Sequence, residues 1–112
     1  MARGRIATLA AAALLLMGGC AASLERVAPP VTSLPAAAGD STLQVTARLA
    51  RGRAVYLDQC ARCHRPYPVA GYGPDRWAKL LPEMIDRTRL APGPAADVTA
   101  YVNRAAGVPP AP

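Results

Sequence analysis

The spacing of apolar positions divides the chain into stretches of different character. Residues 6–17 are an apolar run rich in Ala and Leu, led by Arg3 and Arg5. A positive start followed by a run this short is the organisation of a secretory leader, and it is too short for a permanent membrane-spanning helix. From Ala21 to about Asp40 the apolar residues follow neither a helical nor a strand period, and Ala, Pro and Ser dominate. Such a stretch predicts a semi-extended tether. Helical periodicity starts after Ser41 and Thr42, either of which can cap a helix running through Leu49, Gly52 and Tyr56 to Cys60. The last three share a face at i, i+4, i+8. A second stripe, Val98, Tyr101, Val102 and Ala105, has the i, i+3, i+4, i+7 spacing. Pro94 suits its first turn, and Gly107 and Pro109 end it. Between them a helix is predicted from Asp75 through Trp77 and Met84, with Pro82 kinking or restarting it. The expected organisation is a leader over 1–19, a tether over 20–42, one small all-α domain over 43–107 and a disordered tail over 108–112.

Composition sharpens this picture. A folded part of sixty or seventy residues buries little apolar surface, so small domains of this size usually add disulfides, a metal or a cofactor. The chain has no Phe and a single Trp, which predicts that something other than protein fills the centre of the domain. The formal net charge is +6, and the leader's two arginines account for two of those charges. The remainder is mildly basic. It suits an acidic protein partner or anionic headgroups and is too diffuse for nucleic-acid recognition.

The leader ends in Leu16-Met17-Gly18-Gly19-Cys20, which resembles the bacterial lipobox, although Met17 stands where that pattern prefers leucine. The resemblance implies acylation of Cys20 and retention at a membrane by several chains. An ordinary leader cut a few residues later, for instance after Ala22, is the alternative. If Cys20 is acylated, the domain is expected on the periplasmic side of a bacterial membrane, and Ala21 directly after Cys20 favours the outer one.

The densest chemistry lies at Cys60-Ala61-Arg62-Cys63-His64. The C-x-x-C-H spacing is that of covalent c-type haem attachment. Two thiols three positions apart can bond the two vinyl groups of one haem, and the adjacent histidine can reach the iron. A thioredoxin-like couple would need a βαβ context, and a structural zinc site a fourth ligand, where the chain has one His and no second C-x-x-C. With Cys20 assigned to lipid, no thiol is left over, as suits an oxidising compartment.

Gly52-x-x-x-Tyr56-x-x-x-Cys60-x-x-Cys63-His64-x-Pro66, with the C-terminal helix, resembles the class I cytochromes c over residues 43–107. The resemblance implies a small helical domain wrapped around one covalent haem c. Its glycine would let the C-terminal helix cross closely, its aromatic would sit in the crossing, and Pro66 would pack on the proximal ring face with its carbonyl side supporting the His64 Nδ1 proton. Trp77-x-x-x-x-x-x-Met84 further resembles small cytochrome domains attached to oxidoreductases, in which such a helix supplies an axial sulfur. Met84 is the last of three methionines and the only one beyond the leader.

These resemblances imply His64 and Met84 as axial ligands, and Trp77, Tyr67, Tyr72 and Arg76 as candidates for haem packing or propionate contacts. They further imply an electron carrier rather than an enzyme, serving redox proteins with acidic docking surfaces, as a free carrier or as the electron-accepting subunit of a dehydrogenase. If Pro82 displaces Met84, the iron would be five-coordinate or bound by Lys79 or a tyrosine, and the chain would bind small ligands such as CO or NO.

Overall fold

The computed structural model describes residues 23–37 and 43–107. The leader, Cys20, the cap candidates Ser41 and Thr42, and the tail 108–112 lie outside the described residues. Among the described residues, three long helices carry the core: α1, Leu43–Asp58; α2, Val69–Thr88; and α3, Pro92–Ala105. Among the described residues there is no strand, so the all-α expectation holds.

The predicted stripes are the buried ones. Leu49, Gly52 and Tyr56 are the buried residues of α1, and Val98, Tyr101, Val102 and Ala105 those of α3. The two helices cross at Gly52. A Cβ at that position would stand 2.1 Å from the Asp97 carbonyl oxygen and 2.7 Å from the Tyr101 Cβ, so only glycine admits α3 this closely. Beside the crossing, Asp97 accepts a 2.8 Å hydrogen bond from Arg51 and lies 3.5 Å from Arg48. The bond from Arg51 is the main reason its carboxyl is held below the usual range.

Helix boundaries depart from the sequence expectation in two places. The first helix stops at Asp58, and Cys60–Arg62 forms a separate 3₁₀ turn, the common tightening at a helix end. α3 begins at Pro92, which puts Pro94 in its first turn as expected; both prolines fit there because first-turn N–H groups have no partner inside the helix. In α2 the break is not at Pro82. The one non-helical residue is Gly73, at φ 70° and ψ 162°, and Pro74 then starts the long straight part. Pro82 remains helical. Its missing N–H deprives the Ala78 carbonyl of a partner, but both residues are exposed, so water can take that carbonyl.

Three large aromatic side chains lie at the crossing of the helices. Trp77, Tyr56 and Tyr101 are at most 1% exposed, and Tyr56 meets Trp77 edge-on with ring centroids 5.8 Å apart. Burial drives the Tyr56 phenol far above its ordinary pKa and pushes that of Tyr101 up to about 12.

Residues 23–37, expected to belong to a free tether, are docked on the helices. Residues 23–27 are helical, Ala28 is fully buried, and Val31–Ser33 forms a 3₁₀ turn. Tyr101 donates to the Pro29 carbonyl at 2.8 Å, Arg53 to the Ala28 carbonyl at 3.0 Å and Arg104 to the Pro35 carbonyl at 3.0 Å. The contacts use backbone oxygens of an irregular segment, which explains why no side-chain period announces them.

Candidate functional site

The chain leaves α1 at Asp58, turns through Cys60–Arg62 and runs on to α2 at Val69. Two buried aromatic donors hold this connection. The Tyr56 hydroxyl donates to the Tyr67 carbonyl, and Trp77 Nε1 donates to the Val69 carbonyl at 2.7 Å. Each satisfies an oxygen that would otherwise be costly to bury. Both bonds fix backbone on the far side of His64, so the core helices position the histidine-bearing loop.

His64 is exposed, and its Nδ1 lies 2.8 Å from the Arg65 carbonyl. A carbonyl only accepts, so Nδ1 carries the proton in this bond and the neutral ring presents its lone pair at Nε2. The expected support from the Pro66 carbonyl side is thus provided one residue earlier. Pro66 itself is half-buried. The imidazole lies against the Tyr67 ring at 4.8 Å, and Tyr67 against Tyr72 at 4.9 Å.

Beside this loop opens a solvent-open cleft of about 160 Å³, smaller than the roughly 300–1,000 Å³ typical of ligand sites. One wall carries Cys60, Cys63, His64 and Tyr67; the other carries Leu80, Glu83, Met84, Arg87 and Thr88. The second set has the spacing i, i+3, i+4, i+7, i+8, a single face of α2 turned to the cleft. The predicted attachment motif and Met84 therefore meet in one cavity, although twenty positions separate His64 from Met84. The straight passage of α2 through Pro82 keeps Met84 on that face.

The two thiols differ. Both are unbridged; Cys60 is buried and Cys63 exposed. Burial, and secondarily the neighbouring Cys63, push the Cys60 thiol pKa up, so it stays protonated further into the alkaline range than an exposed thiol would. Across the cleft, Glu83 and Arg87 approach to 3.8 Å on the exposed rim, and the Thr88 hydroxyl donates to the Met84 carbonyl at 2.7 Å.

No protein family, curated protein or solved structure matches the chain. What the site can do follows from its own side chains. Two thiols, an imidazole with a free Nε2 and a thioether facing one mainly apolar cleft fit a planar iron cofactor held covalently on one edge. Among the described residues, no group of three or more His, Cys, Asp and Glu side chains converges as a ligand shell for a bare ion.

The remaining candidates fall elsewhere. Trp77 is fully buried among Tyr56 and Tyr72, its N–H is engaged by Val69, and it does not line the cleft. Pro66 does not line it either. Arg76 lies over the Tyr72 ring at 4.1 Å, a cation–π contact, and Lys79 is exposed. Sequence reasoning missed Leu80, Glu83, Arg87 and Thr88. Projecting the helical period outward from Met84 would have found them.

Proposed function

We propose that this chain is a c-type cytochrome that carries single electrons between protein partners, held by lipid at the periplasmic side of a bacterial membrane. The supporting observation is the shared cleft, with Cys60, Cys63 and His64 on one wall and Met84 on the other. Haem c, when bound, supplies an iron that alternates between two oxidation states. Cys60 and Cys63 provide the sulfurs of two thioether bonds, each formed as an S–H adds across a vinyl C=C. His64 would offer Nε2 to the iron, its ring kept in orientation by the Nδ1–H bond to the Arg65 carbonyl. Met84 would offer its thioether to the iron, a donor that favours the reduced state. Tyr56 and Trp77 hold the His64 loop through backbone bonds. The protein makes and breaks no substrate bonds. It serves as a free carrier or as the electron-accepting subunit of a dehydrogenase, docking to acidic surfaces. Among the described residues no helix is long and apolar enough to cross a membrane. The lipobox-like Leu16-Met17-Gly18-Gly19-Cys20 supports attachment through Cys20.

Co-expression with a c-haem maturation system, followed by intact mass measurement, tests the proposal. The wild type is expected to carry one covalent haem and the Cys60→Ser, Cys63→Ser double variant none. A wild type without covalent haem would overturn it.

A further inference from the structure

The docked strap changes how the domain must sit at its membrane. Residues 23–37 are held by bonds from three side chains on two helices, Arg53 of α1 and Tyr101 and Arg104 of α3. Ala28 is fully buried, and Val27, Val31 and Leu34 pack against the same core. The strap is therefore part of the domain. Only three Cα–Cα steps separate Cys20 from Ser23, the first described residue. At 3.8 Å per step the anchor and the strap stand at most about 11 Å apart. A free tether over 20–42 would instead have an end-to-end distance of roughly 25 Å. At the start of the strap, Leu24 is 51% exposed, one of two large apolar side chains that stand out in solvent among the described residues.

We infer that the strap-bearing face of the domain is a membrane-contact surface: the strap clamps the domain against the lipid bilayer in one orientation, with Leu24 at the headgroup level, instead of letting it swing on a linker. This rests on the lipid-anchor assignment of Cys20. The orientation leaves the electron-transfer site accessible, because none of the residues that hold the strap lines the cleft. The last of them on α1, Arg53, lies about 10 Å along the helix direction from Cys60. A partner must then approach the haem from the aqueous side at a fixed height above the membrane, which restricts it to proteins that themselves reach to the bilayer surface.

The test uses the full chain matured in a Gram-negative host and placed by its own N-terminus on a supported phosphatidylethanolamine–phosphatidylglycerol bilayer. Neutron reflectometry reads the water gap between headgroups and protein. The expected gap is below about 11 Å for the wild type. It should widen at least twofold in Ala28→Asp, which places a carboxylate where the strap is buried, and in the milder double variant Arg53→Gln, Tyr101→Phe. Retention of the haem spectrum identifies variants whose domain remains folded. An acylated wild type with a gap of some 25 Å overturns the clamp while leaving the anchor intact. A mature N-terminal peptide without acyl chains, read by mass spectrometry of the same preparation, overturns the anchor and the clamp with it.

Discussion

The middle and the C-terminal end of α1 are built on opposite principles. At Gly52 the helix is closed: α3 lies against its backbone, Arg51 and Arg48 clamp Asp97, and the strap covers the flank. Two turns later, at Cys60, the chain opens into a cleft whose walls carry sulfur, imidazole and charge. The closed region has no side chain to spare for chemistry, and the open one has too few buried contacts to stand alone. Tyr56 joins them, with its ring in the core and its hydroxyl on the loop that carries His64. The comparison teaches that this small domain stabilises its reactive end from a distance, through backbone carbonyls gripped by core aromatic side chains.

Substitutions at the crossing should therefore cost the most. Gly52→Ala puts a Cβ into the Asp97 carbonyl, and overpacking against backbone should destabilise the domain by about 3 kcal/mol. In urea unfolding, a loss below roughly 1 kcal/mol would show that the helices separate without cost. The same change at Gly93, where a Cβ meets nothing within 4 Å, should be neutral or slightly stabilising.

Alkaline pH probes the closed region next. An unfolded tyrosine titrates near 10, while burial pushes the Tyr101 phenol up to about 12. The folded state thus holds this proton where the unfolded state loses it. The stabilisation is complete below pH 10 and is lost as pH rises towards 12, by about 2 kcal/mol for this residue. Tyr101→Phe should flatten that part of the stability profile between pH 10 and 12, and an unchanged slope would contradict the assignment.

Tyr56→Phe tests the link between the regions. It leaves the Tyr67 carbonyl without its donor, at a cost of about 1.5 kcal/mol. The larger sign should be local: the amides of Val69 and Ala70, next to the freed carbonyl, and those of Cys63, His64, Arg65 and Tyr67 should exchange with solvent faster while those of α3 do not. Uniform acceleration would mean that Tyr56 acts only as core packing. At the small end, Arg62→Ala removes an exposed pair with Asp58 at 3.4 Å and should change stability by less than about 0.5 kcal/mol.

How much of this was legible in the sequence follows from which physical signal each part leaves. The stripes of α1 and α3 repeat with the helical period, so Gly52, Tyr56, Val98 and Tyr101 could be placed together in advance. The shared cleft of Cys60, Cys63, His64 and Met84 was not visible in either helical stripe, because it depends on how α2 folds back beside the loop. Nor was the strap, since Pro29, Ala28 and Pro35 contribute only carbonyl oxygens. The break in α2 was sought at Pro82, but an exposed proline is cheap to accommodate, and Gly73 takes the positive φ instead.

The most direct test of the His64–Met84 assignment is the ferrous spectrum of the haem-loaded protein with and without CO, for wild type and Met84→Ala. A low-spin wild type inert to CO, with CO binding gained in Met84→Ala, is the predicted result. Rapid CO binding by the wild type would contradict the carrier and favour a small-ligand-binding protein.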